Sequence, residues 1–201
     1  MDVVHAYVLP RAGVDDELIS LAHACRPALL DYPIDLACPP EAGDPGTLHL
    51  TIEMVADAPA ADISVSERAD LVNALHMGLA DVPPFVTEVG PPIGNVAGAV
   101  LDVWPDCEAM ALQRRVQAAI RMTRGDGALL HNGGRIHCSL GYSYDTASSD
   151  RLNSALRAIT PRRAPLHVDS LHLLSVRYDI AQDSGGWRMS WEPIAEIPLG
   201  G

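Results

Sequence analysis

Arg135-Ile136-His137-Cys138-Ser139-Leu140-Gly141-Tyr142-Ser143 is the stretch whose reading decides the fold. Apolar, β-branched and aromatic residues run here between a Gly-Gly pair and a Ser/Thr/Asp cluster, which predicts a strand. Residues i and i+2 of a strand share a face. His137 and Ser139 are therefore expected side by side, roughly 7 Å apart along the backbone. Ile136, Cys138 and Leu140 are expected to face the other way, into a core. Leu48-His49-Leu50-Thr51-Ile52 repeats the pattern: His, any residue, a hydroxyl residue, an aliphatic one. His49 and Thr51 share one face, and Leu50 and Ile52 the opposite one.

The flanking sequence repeats in the same order. A strand over Val3–Leu9 ends at Pro10, and Asp15 or Asp16 then caps a helix with apolar positions Val14, Leu18, Leu21, Ala22, Cys25 and Leu29. After the Pro/Gly loop Cys38–Gly46 comes the first motif strand. Ser64-x-x-Glu67 reads as a capping box that opens a helix with Leu71, Val72, Leu75 and Leu79 inward. Pro83-Pro84 stops that helix, and Phe85–Val89 is a short strand. Gly90–Asn95 reads as a hinge between halves. The second half then gives a strand (Ala99–Trp104), a helix (Glu108–Arg124), the glycine loop Gly125–Gly134 with His131, the second motif strand and a helix from Ser148 or Ser149. Leu166–Tyr178 and Trp187–Ile197 read as two further strands.

The expected architecture is α+β: two pseudo-symmetric lobes with antiparallel sheets around a central cleft. The chain 1–201 is read as a single bilobal domain with approximate halves 1–95 and 96–201, related by internal duplication.

Composition bounds the chemistry. The 201 residues carry a net charge of −12, and all 14 basic residues are Arg. Without Lys there is no Schiff base, no P-loop lysine and no lysine nucleophile for nucleotidyl transfer. An acidic surface disfavours long double-stranded nucleic acid, which needs many phosphate-neutralising contacts. A local basic patch from Arg114, Arg115, Arg121, Arg124 and Arg135 is one expectation, and a solvated helix face is the other. No apolar run reaches membrane-spanning length. The N-terminus lacks the basic region of a signal peptide, so the expected location is the cytoplasm. Cys25, Cys38, Cys107 and Cys138 have no paired spacing and are expected as free thiols. A monomer is expected.

The two quartets His49-Leu50-Thr51-Ile52 and His137-Cys138-Ser139-Leu140 resemble the paired H-x-[ST]-hydrophobic motifs of the 2H phosphoesterase superfamily. Within it the chain looks like the bacterial RNA 2′,3′-cyclic phosphodiesterases, also called 2′-5′ RNA ligases. The resemblance spans nearly the whole chain in element order. It implies phosphoester chemistry without metal or cofactor, on a small nucleotide or a cyclic-phosphate RNA end. The chain departs from that pattern in having no Lys and a single Phe.

The residue types suit the chemistry. In-line displacement at phosphorus needs one group to take the nucleophile's proton and another to give one to the leaving oxygen. His49 and His137 are the candidate catalytic pair, since an imidazole changes charge near neutrality. Thr51 and Ser139 hydroxyls are candidate donors to the equatorial oxygens. Arg135 shares their face and is a candidate phosphate fork. Tyr7, Tyr142 and Tyr144 are candidate nucleotide-binding residues, although Tyr142 lies outside the His137/Ser139 parity. A competing reading is a non-catalytic module binding a cyclic nucleotide or RNA end. Another is a metal hydrolase using Glu53, which strand parity places on the face of His49.

Overall fold

The computed structural model describes residues 2–130, 135–180 and 185–200. His131 and the last part of the glycine loop lie outside the described residues. Nine strands form one antiparallel sheet: β1 (Asp2–Val8), β2 (Ile34–Leu36), β3 (Leu50–Val55), β4 (Phe85–Asn95), β5 (Gly98–Trp104), β6 (His137–Ser143), β7 (Ala164–Val168), β8 (Ser170–Ile180) and β9 (Trp187–Pro198). Four α-helices accompany them: α1 (Asp16–Leu30), α2 (Val65–Leu79), α3 (Cys107–Arg124) and α4 (Ser149–Arg157).

The strand order is β7-β4-β5-β6-β3-β1-β8-β9, with β2 paired to β6. The α+β architecture is as the sequence predicts, with one refinement. The two motif strands are direct neighbours at a narrow seam, where Leu50 pairs with Cys138 and the Ser139 amide donates to the His49 carbonyl at 3.2 Å. Leaving β2 aside, four strands lie on each side of that seam.

The grouping in space does not follow the halves in sequence. β4, from the first half, lies between β5 and β7, whereas β8 and β9, from the second half, extend the sheet from β1. The helices exchange too. α1 packs on β7 and α4, while α3 packs on β3 and α2. A cut at residue 95 would strip each group of strands of its partners.

The helix-facing side of the sheet builds the core. Val4, Ala6 and Val8 of β1, Leu50, Ile52 and Val55 of β3, and Leu101 and Val103 of β5 meet buried faces of α1–α4. Each fully buried aliphatic side chain contributes roughly 1.5–3 kcal/mol. The capping box is present in full: Ser64 Oγ accepts from the Glu67 amide and Glu67 accepts from the Ser64 amide. The four cysteines are free, and all but Cys107 are buried.

Three expectations change. β4 does not stop at Val89; it runs to Asn95, so the hinge is strand. Val89 pairs with Val103 and Pro92 with Leu101, which leaves Gly90 and Pro91 together opposite Asp102. A bulge accommodates a proline that a regular ladder cannot. Leu166–Tyr178 is two strands, because the chain changes pairing partner at Asp169. β7 pairs with β4, and β8 with β1. No Gly or Pro marks that break; Asp169 is held there by Arg11 at 2.6 Å and by the Leu199 amide at 2.8 Å.

The third concerns Asp15. It occupies the N-cap position of α1, but its side chain makes no capping bond. The buried carboxylate instead accepts from the Arg11 amide at 2.9 Å, the His167 amide at 2.9 Å and His167 Nδ1 at 3.0 Å. It pins β7 to the start of α1 across 152 residues of sequence. Asp15→Ala leaves the Arg11 and His167 amides without this acceptor and is expected to cost about 2–3 kcal/mol. That is a fall in Tm of about 5–10 °C by calorimetry, whereas a change under about 1 °C would remove the anchoring role.

Candidate active site

The concave face of the sheet, opposite the helices, carries the motif residues. Thr51 lies at the start of β3 with His49 immediately before the strand, and His137 and Ser139 lie at the start of β6. Each imidazole is fixed the same way. His49 Nδ1 donates to the Thr47 carbonyl at 2.7 Å, and His137 Nδ1 donates to the Arg135 carbonyl at 2.7 Å. In each case the acceptor belongs to the residue two positions earlier. A carbonyl only accepts, so Nδ1 carries the proton in both rings and Nε2 is left for chemistry. The duplicated motif is thus a duplicated hydrogen-bond geometry.

The environments of the two rings differ sharply. His49 has 0% of its surface exposed. Its ring stacks on Tyr7 at 4.4 Å with 20° between planes, and Trp191 meets it edge-on at 6.1 Å. Burial pushes the His49 pKa down to about 4, and the nearby His137 adds to that; the Thr47 carbonyl works the other way. His49 is therefore neutral at pH 7. His137 is half-buried and lines an open cleft of about 230 Å³. Thr51, Arg135, Tyr142, Tyr178 and His5 also border that cleft.

His49 and Ser139 do not border the cleft; they lie behind Tyr142. Tyr142 Oη stands 3.3 Å from His49 Nε2 and 3.2 Å from Ser139 Oγ, to which it donates. Strand parity excludes this position, and a bulge creates it. Ala99 pairs with Gly141 and Val100 with Ser139, so Leu140 is the extra residue. Gly98, Val100 and Asp102 share one face of β5, and their partners are Tyr142, Ser139 and His137. The bulge turns Tyr142 onto the face of the motif. Gly98 serves the same close approach: its φ is +143°, and a Cβ there would strike the Gly141 carbonyl.

A second bulge moves Glu53 the other way. Thr51 pairs with Tyr7 and Glu53 with Ala6, so Glu53 falls on the helix-facing parity. Its carboxylate accepts from Gln117 of α3 at 2.7 Å. Glu53 still borders the cleft, but its carboxylate is held by Gln117 and it does not share the face of His49, so the metal reading that needed the two side by side loses its geometry. Among the described residues no cluster of three or more His, Cys, Asp or Glu side chains has metal-binding spacing.

The remaining candidates divide. Arg135 stands at the cleft rim, 57% exposed, with its Nε 3.1 Å from Asp102. Tyr7 has 0% exposure and offers its ring to His49, with no surface left for a base. Tyr144 is exposed and does not line this cleft. Three α3 arginines are committed elsewhere, Arg115 to Asp81, Arg121 to Asp126, and Arg124 to Asp57 and Glu67, and Arg114 is exposed on α3 and does not line the cleft. They do not form the phosphate-facing patch. His5, Gln113, Tyr178 and Asp102 are site neighbours that the sequence does not single out. His5 has a signal, its alternation with Tyr7; Tyr178 reaches the cleft only through the pairing of β8 with β1.

No family model matches the chain, and no curated protein matches it significantly by sequence. Solved structures do match it. TT0787 of Thermus thermophilus superposes with a TM-score of 0.65 at 15% identity, over 99% of this chain and 98% of that one. A protein solved as a phosphoesterase gives a TM-score of 0.61 at 13% identity, over 100% of both chains. Escherichia coli LigT complexed with 3′-AMP gives 0.59 at 14% identity, over 98% of both chains.

Proposed function

From a chain with the 2H phosphoesterase fold, we propose a metal-independent phosphodiesterase that opens a 2′,3′-cyclic phosphate or a 2′-5′ linkage in a small nucleotide or RNA end. One observation carries this reading: two imidazoles, each with Nδ1 tied to the carbonyl two residues before it, on adjacent strands of one concave face. Binding alone has no need of two proton-transfer groups. The 3′-AMP complex of LigT supports a nucleotide as the occupant.

The roles follow from the environments. Neutral His49 is the base, and His137, at the cleft wall, is the acid. Water attacks phosphorus, the bond from phosphorus to one ribose oxygen breaks, and His137 gives that oxygen its proton. Thr51 and Arg135 border the cleft and hold the non-bridging oxygens. Ser139 acts through Tyr142.

A second reading, a binding module without turnover, is favoured by one fact: His49 has no exposed surface. A substrate screen separates the two. The protein is incubated with 2′,3′-cyclic mononucleotides, 2′-5′-linked oligoadenylates and long RNA, with and without EDTA, and products are read by chromatography. Opening of cyclic mononucleotides is expected, unchanged by chelator and faster than of long RNA at physiological salt, given the net charge of −12. Loss of turnover on chelation would overturn the metal-free mechanism. Nucleotide binding by calorimetry without product would favour the module.

A further inference from the structure

Substrate in the cleft meets Tyr142 before it meets His49. Tyr142 lines the cleft, and His49, with 0% exposure, does not. The phenol oxygen lies 3.3 Å from His49 Nε2, within hydrogen-bond reach. Resting on the function proposed above, we propose that Tyr142 is a catalytic relay that carries the proton from the attacking water to His49.

The phenol has one proton and two acceptors. At rest it points to Ser139 Oγ at 3.2 Å, and rotation about its C–O bond turns it to His49 Nε2. Because Nδ1 of His49 donates to the Thr47 carbonyl, Nε2 carries a lone pair aimed at the phenol. In the reaction the water oxygen bonds to phosphorus and its proton passes to Tyr142 Oη. The phenol proton moves at the same moment to His49 Nε2, and His137 protonates the departing ribose oxygen. The phenol ends neutral, His49 ends charged, and product release lets both histidines reset by exchange with solvent.

Two features fit this assignment. Burial pushes the Tyr142 pKa up to about 12, which keeps the phenol neutral and fit to pass a proton on. An anionic phosphate in the cleft favours a charged His49 ring, so the relay engages when substrate is bound. Tyr7 of β1 and Trp191 of β9 meet the His49 ring through their faces and edges, which leaves the phenol of Tyr142 as the route from cleft to Nε2.

The test is Tyr142→Phe, which keeps the ring and removes only the oxygen. On a 2′,3′-cyclic mononucleotide, kcat is expected to fall about 10²-fold or more while KM stays within about threefold. The proton inventory in mixed H₂O/D₂O is expected to change from multi-proton in the wild type to single-proton in the variant. With product nucleotide bound, when the phenol is turned to His49, the ¹⁵N signal of His49 Nε2 is expected to differ between wild type and variant, because the phenol donor at 3.3 Å is gone. An unchanged or raised kcat in a folded variant would overturn the relay, and so would an unchanged inventory. If the wild type opens no cyclic phosphate at all, the proposed function fails, and an unmoved Nε2 signal would then sink the Tyr142 contact separately.

Discussion

Alanine at His137 is expected to lower kcat on a 2′,3′-cyclic mononucleotide by roughly 10²–10⁴-fold, the range a positioned acid or base contributes. The half-buried ring touches the Arg135 carbonyl and the cleft, so its removal leaves the core intact. Surface changes of this kind stay within about 0.5 kcal/mol of wild-type stability. His49→Ala is expected to lose as much activity, but through a different cost in stability. Its ring fills a site between Tyr7, Trp191 and Tyr142, and truncation opens a cavity there. His49→Gln is the cleaner probe, because it keeps volume and an amide that can reach the Thr47 carbonyl. Stopped assays on folded variants, checked by circular dichroism, read the result. A His137→Ala variant within about twofold of wild type would remove the acid from the mechanism.

Stability is expected to fall as pH drops from about 6.5 towards 4, with His49 contributing roughly 3 kcal/mol of the fall. Its folded pKa, about 4, lies below the ordinary histidine value because burial disfavours the charged ring. Within that window the unfolded chain binds a proton that the folded chain refuses. The contribution is therefore fully present above the unfolded pKa and is lost as pH falls through the folded one. His172 is shifted the same way by burial, and carboxylates add their own dependence. The comparison of wild type with His49→Gln subtracts both. Urea unfolding at pH 7 and pH 4.5 is expected to show a smaller pH-dependent loss in the variant. Parallel curves would show that His49 is hydrated in the native state.

The helices, the capping box at Ser64 and the residue types of the site were all legible as pattern. Helix periodicity and Ser-x-x-Glu depend on residues within a turn or two of each other. The His-x-hydroxyl pairs were legible because i and i+2 share a face over so short a span. Tyr142 was not, since its place depends on a bulge at Leu140 that only pairing with β5 creates. Glu53 was misassigned for the same reason, at a bulge made by pairing with β1.

The sequence by itself determined which groups this protein has for chemistry: two imidazoles, two hydroxyls, no lysine, and an acidic surface around them. Local patterns suffice for that, because side-chain type and short-range spacing are properties of the chain alone. Only the tertiary structure decided which of them lines the cleft. It buried one histidine under Tyr7 and Trp191, left the other at the cleft wall, and set a tyrosine between the cleft and the buried ring. Burial and strand register arise from pairing residues far apart in sequence, and a one-residue bulge reverses every face beyond it.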